Sequence, residues 1–398
     1  MNVDAQSSSL LRPAQIMAPE LTPALRPPRR RLPTLEVVSA PVSRFDAFRA
    51  QARFPALDGI RAISILAVIW HHTAGGFGGV PLSSNGFLGV DMFFVLSGFL
   101  IVSLILKERE RTGAISLRRF YARRTLRIFP IYYLVLAAIL VFVTVIRPES
   151  GMRDPFLSEL PFHASYTTNW IQSTTFLAIA WSLATEEQFY LLWPPLEKFF
   201  ARQVLPVLVG FLVVNQLLNF GLLDGLLESR LGLARGDYAI LQVTFTPICL
   251  GVLLAHALAR PGGFARLRSV FASRWSLWIV LVALIAVCNA PGDISGLPRL
   301  SIQLLMGMFL AGCVLDEQHP VARVLSRPWI RWIGAISYGM YLYHHFARHA
   351  AAYFLRETGL ESPLLLFLLC SALTVAVSAL SFRFIESPLT GWKHRRHA

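Results

Sequence analysis

The chain is short of charge. Of its 398 residues only 15% are charged, while 55% are hydrophobic; soluble domains carry about 25% charged residues. With a mean hydropathy of +0.53, that shortage excludes an ordinary soluble globule. It excludes a disordered chain as well, which needs low hydrophobicity and high net charge. Cysteine is scarce too. Cys249, Cys288, Cys313 and Cys370 lie in separate apolar runs, with no CxxC and no Cys/His spacing. Buried core cysteines are therefore expected, with neither disulfides nor a metal site. The first ~50 residues lack the apolar core of a cleavable signal peptide. The second half does not repeat the hydropathy of the first, as inverted-repeat transporters usually do.

Long apolar runs, in contrast, are abundant. Ten fall at about 58–74, 86–106, 128–146, 181–197, 203–224, 238–259, 275–292, 299–316, 332–353 and 363–385. With tilt or extension for the shortest, each can cross a bilayer. The expected fold class is an all-α integral membrane protein of about ten transmembrane helices with both termini cytoplasmic. Residues 156–180 are semi-polar and expected to be partly embedded. Residues 1–52 read as a flexible basic tail rich in Pro and Arg (RPPRRRLP at 26–33), 53–388 as the membrane domain and 389–398 as a short basic tail.

The net charge of +14 fits this arrangement. With the N-terminus inside, 30 of the 37 Lys and Arg fall on the cytoplasmic side and six outside, with Arg348 within a span. Such a bias sets topology. It accounts for the basic balance through membrane lipids and orientation, with no nucleic acid.

Ionisable groups inside spans mark function. The first span reads LDGIRAISILAVIWHHT. Eleven residues separate Arg61 from His72, about 1100° of helix, so the two share a face ~16 Å apart along the axis; His71 lies ~80° off it. In GVDMFFVLSGFLI, Asp91 is an acid in an apolar run. It needs a partner, and His72 is expected at similar depth, where a carboxylate would fix the imidazole tautomer as in a hydrolase triad. Gly98 lies on the Asp91 face and permits close helix approach. Arg118, Arg119, Arg123, Arg124 and Arg127 crowd the entrance to the third span, suited to phosphate, anionic lipid or topology alone. Glu186 and Glu187 enter the fourth span together, and Pro194 is placed to kink it. In the ninth, Ser337, Tyr341, His344 and Arg348 are spaced 4, 3 and 4 apart, one polar stripe that must face protein or a cavity.

Six blocks stand in order: LDGIRAISILAVIWHHT, GVDMFFVLSGFLI, RRTLRIFPIYY, WSLATEEQFYLLWP, ISYGMYLYHH and FIESP. Together they resemble the acyltransferase 3 family of bacterial membrane O-acyltransferases. The resemblance implies acyl transfer, usually acetyl, from cytoplasmic acyl-CoA to a hydroxyl of a sugar or similar acceptor. The donor would be a substrate, with no permanently bound cofactor, and the site would lie in the bacterial inner membrane. The family's Arg–x10–His signature maps to Arg61 and His72, and its Arg–x–x–Arg signature to Arg124 and Arg127. Some members carry a fused extracytoplasmic SGNH domain. This chain ends ~13 residues after its last span, so it is expected to act alone or with a separate extracytoplasmic transferase.

Acyl transfer to an alcohol needs a base and a group that stabilises the oxyanion. His72 suits the base, and a covalent acyl-histidine route stays open beside it. Asp91 or the Glu186/Glu187 pair would orient it. Glu186, Ser337, Tyr341 and His344 would line the acceptor cavity, and Arg61, Arg124 and Arg127 would hold the CoA phosphates. A glycan acceptor is the first expectation (exopolysaccharide, lipopolysaccharide or a lipid-linked sugar); a macrolide or other secondary metabolite is the alternative within the enzyme class. A transporter or saccharide flippase is the competing class, since intramembrane His, Asp and Glu also form relays.

Overall fold

The computed structural model describes residues 43–391, apart from 52, 80, 150, 235–238 and 293. The segment 26–33, most of the 1–52 tail and residues 392–398 of the C-terminal tail lie outside the described residues. Among the described residues every regular element is a helix. Ten are long: α1 (Pro55–Ala74), α2 (Leu88–Thr112), α3 (Leu117–Val141), α4 (Ala180–Phe199), α5 (Val204–Asn219), α6 (Ala239–Leu258), α7 (Ser276–Cys288), α8 (Leu297–Leu315), α9 (Ser337–Glu357) and α10 (Pro363–Ser381). Each overlaps one of the ten apolar runs.

Local chemistry sets their ends. Prolines occupy the first turns of α1, α8 and α10, where the missing N–H and fixed φ cost nothing. The Ser116 hydroxyl caps α3 by accepting from the Arg119 N–H. α4 runs through Pro194 and Pro195 to Phe199.

Four helical stretches are long and apolar enough to cross a membrane: Asn85–Thr112, Leu117–Ile146, Leu297–Leu315 and Pro363–Leu389. Two bent pairs raise the number to six: Val204–Asn219 with Asp224–Leu231 at 87°, and Phe245–Leu258 with Pro261–Val270 at 110°. The chain is thus a helical, multi-pass membrane protein. α1, α4, α7 and α9 fall outside this group: α7 is apolar but short, and the other three are interrupted by Asp58, Arg61 and His72, by Glu186 and Glu187, and by His344 and Arg348.

Small residues let the helices meet. A Cβ at Gly98 of α2 would overlap the carbonyl oxygen of Ile248 in α6, and one at Gly251 of α6 would overlap the carbonyl of Val95. The two backbones therefore touch, the close packing that small residues permit in lipid. Gly98 serves close approach as its sequence position suggests, with α6 as the neighbour.

The semi-polar stretch forms a helix at Arg153–Ala164 and a tight turn at Thr168–Trp170. It packs on α3, whose Tyr132 hydroxyl donates to the His163 carbonyl at 2.8 Å. Inside it, Glu159 accepts from Ser173, Thr175 and the Thr174 N–H. The four cysteines are all buried and unpaired with one another.

Candidate functional site

Two polar zones meet at α9. The first is a histidine cluster between α1 and α9. The His72 Nδ1 lies 3.0 Å from the Nε2 of His344, which is fully buried. The Nδ1 of His344 is 2.6 Å from the Tyr341 carbonyl oxygen, one turn back. The His345 ring centres 4.7 Å from His72 and 4.6 Å from His344. His71 turns away: its Nδ1 sits 2.9 Å from the Ser84 carbonyl. The helical phase that separates His71 from His72 in the sequence thus sends them to different partners. Arg348 lies within electrostatic reach of His72 and His345. Its Nε is buried with no hydrogen-bond partner, and among the described residues no carboxylate pairs with it.

The second zone is an open cavity with about 830 Å³ of empty space. Arg61 of α1, Arg124 and Arg127 of α3, Glu186 and Glu187 of α4, and Ser337 and Tyr341 of α9 all line it. Seven residues singled out in the sequence thus share one cavity, although they come from four helices. Its cations are differently held. Arg61 bonds Asp58 at 3.2 Å. Arg124 stacks on the Tyr190 ring at 3.5 Å and keeps a buried, unpartnered Nε. Arg127 faces Glu386 of the FIESP block electrostatically. Its acids also differ. Glu186 accepts from Ser97 and from Tyr190, each at 2.8 Å. Glu187 lines the cavity with no hydrogen-bond partner among the described residues. The Tyr341 hydroxyl bonds Ser182 at 2.6 Å and the Ile179 carbonyl at 3.0 Å.

Two expected roles change. Asp91 does not pair with His72. It is 2% exposed, and its two oxygens accept from Arg299 at 2.7 Å and Gln303 at 2.9 Å. A buried carboxylate takes the partner that compensates its charge most fully, and a bidentate-capable guanidinium outcompetes a neutral imidazole. Asp91 therefore ties α2 to α8. Arg299, one of the six basic residues counted outside in the sequence, lies in the first turn of α8 and is 7% exposed. Nor do Glu186 and Glu187 orient His72, whose ring partner is His344. Neither His72 nor His344 is among the residues lining the cavity; Tyr341, one turn before His344 on α9, is.

Other site residues escape the sequence. His345 lies about 100° around the helix from His344, at the edge of the stripe, yet its ring reaches His72. Ser97 and Tyr190 read as ordinary helix residues until Glu186 meets them. Arg299 and Gln303, four apart on α8, form an i,i+4 pair that could have signalled an acid partner.

A family model described as an acyltransferase domain matches residues 54–383. The peptidoglycan O-acetyltransferase OatA of Listeria monocytogenes is 27% identical over 368 residues, covering 84% of this chain and 55% of that protein. The O-acetyltransferase OatA of Staphylococcus aureus is 27% identical over 367 residues, covering 87% of this chain and 58% of its own length. The chain thus spans just over half the length of these curated relatives. No solved structure matches it.

The Asp91–Arg299 pair yields a stability test. Asp91→Leu strands a buried guanidinium and should cost about 3–5 kcal/mol, because removing one partner leaves an uncompensated charge. The double change Asp91→Leu with Arg299→Met should recover most of that loss. Thermal unfolding of the detergent-solubilised protein measures both. A double variant no more stable than the single one would dismiss the pair as the role of Asp91.

Proposed function

The chain belongs to the acyltransferase 3 family, and from that membership we propose that it moves an acyl group, acetyl in the first instance, from acyl-CoA to a hydroxyl of a glycan. The observation that carries this reading is the joining of three guanidiniums in one cavity, Arg61, Arg124 and Arg127. Arginine matches phosphate oxygens bidentately, as the pyrophosphate and 3′-phosphate of CoA require. His72 lies eleven residues along α1 from Arg61, ~16 Å by helical rise, a span that an extended pantetheine arm covers. The thioester is then delivered near the imidazole while the nucleotide stays at the arginines.

In this mechanism His72 takes the proton of the acceptor hydroxyl, and the oxygen attacks the thioester carbonyl. The tetrahedral oxyanion needs a cation or donors, and Arg348, uncompensated beside His72, supplies one. On collapse the C–S bond breaks and the protonated imidazole returns its proton to the leaving CoA sulfur. Glu187, free of hydrogen-bond partners in the cavity, is available to a polar group of donor or acceptor.

The orientation belongs to the same proposal. Ten spans with both termini cytoplasmic place Arg124 and Arg127 on the side that holds acyl-CoA, in the inner membrane of a bacterium. Reporter fusions within 107–127 should read cytoplasmic and fusions within 147–180 should read external. A cytoplasmic signal from 147–180 would overturn the orientation.

Transfer from acetyl-CoA, followed in membranes bearing each variant, tests the chemistry. His72→Ala should lower turnover by about 10²–10⁴-fold, the usual contribution of a general base, whereas His71→Ala should be milder. Undiminished turnover in His72→Ala would sink the assignment. The double change Arg124→Lys with Arg127→Lys keeps the charge that topology needs but loses the planar fork. It should preserve insertion and raise the KM for acetyl-CoA, with each lost charge-assisted contact costing about 1.5–3 kcal/mol. An unchanged KM would move the donor site elsewhere.

A further inference from the structure

We propose that His344 is a positioning residue that fixes the tautomer of His72 and leaves its Nε2 as the bare, reactive nitrogen. The inference rests on the reading of His72 as the base and adds which atom acts and what holds it.

The argument is one of donors and acceptors. The Nδ1 of His344 is 2.6 Å from the main-chain carbonyl of Tyr341. A carbonyl oxygen only accepts, so this nitrogen carries the proton. A neutral imidazole has one N–H, so the Nε2 of His344 is an acceptor. The group opposite it at 3.0 Å is the Nδ1 of His72, which must therefore donate. The Nε2 of neutral His72 is then unprotonated, able to take a proton or to attack a carbonyl carbon.

The chain runs from the Tyr341 carbonyl through His344 to His72. It does for this histidine what a carboxylate does in a hydrolase triad, with a helix carbonyl at its end. A neutral chain suits the place. His344 is fully buried; the charged or titratable groups beside the pair are His71, His345, Arg348, Tyr341 and Cys370, and among the described residues no carboxylate bonds any of the rings. A positive charge settled on His344 would have no counter-ion, and unpaired buried charge is costly. When His72 is protonated in turnover, its Nδ1–H···Nε2 bond to His344 becomes charge-assisted and strengthens. The same geometry weighs against a divalent ion. His72, His344 and His345 bring ligand nitrogens within 4.8 Å of one another, but metal on the facing His72 and His344 nitrogens would displace the proton between them and bring further uncompensated charge beside Arg348.

The test uses the full chain. His344→Leu should lower kcat by about tenfold to a hundredfold, a share of a general base's contribution, with the KM for acetyl-CoA unchanged, since no CoA contact is lost. His344→Gln should recover part of kcat, because its amide oxygen can accept from the His72 Nδ1–H; a purely structural role would leave both variants equally impaired. The direct readout is nitrogen NMR of ¹⁵N-histidine-labelled protein in detergent, with the His72 signals assigned by difference from His72→Ala. The expected wild-type pattern is a protonated Nδ1 and a bare Nε2 at His72, with the alternative tautomer gaining population in His344→Leu. A proton on the His72 Nε2 in the wild type, or stoichiometric zinc in the purified active protein, would overturn the proposal. These outcomes are separable from the fate of the base assignment. Full turnover in His72→Ala would remove that assignment, while the NMR pattern would still decide the tautomer.

Discussion

Inside a bilayer a polar side chain has no water to turn to, and the key buried polar groups of this fold are arranged around that constraint. Asp91 is matched by Arg299 and Gln303, Glu186 by Ser97 and Tyr190, and His72 by His344. Each match joins two or more helices, so the polar groups decide which helices are neighbours while the apolar surface, equally at ease in lipid or in protein, does not. Close contact between the backbones of α2 and α6 then comes from Gly98 and Gly251, where any side chain would hold the helices apart.

The same constraint sorts the ionisable groups by purpose. Asp91 has both oxygens filled and nothing left to offer a substrate, which makes it a structural clamp. Among the described residues Glu187 has no hydrogen-bond partner and Arg124 has a spare buried nitrogen, and both border the cavity. Groups kept available at the cost of incomplete pairing are those expected to meet a ligand.

Tyr341 connects the two zones. Its side chain lines the cavity, with the hydroxyl held by Ser182 and Ile179, while its backbone carbonyl lies 2.6 Å from the Nδ1 of His344. One residue on α9 thus touches the cationic cavity with its side chain and the histidine pair with its backbone.

Much of this was legible in the sequence. The ten apolar runs became ten long helices because apolar length and a helical backbone are local properties. Helical phase alone put Arg61 and His72 on one face and turned His71 aside, and the 4–3–4 spacing put Ser337 and Tyr341 toward one cavity. Pairing across helices was not legible. The sequence offered His72 as the partner of Asp91, yet depth along a helix does not say which helix lies next to it, and Arg299, 208 residues further on, gives the stronger compensation. His344 read as one more polar residue of a stripe until folding brought it against His72. Phase and depth follow from one helix and its sequence; neighbours follow from packing, because the free energy of a buried charge depends on what stands opposite it.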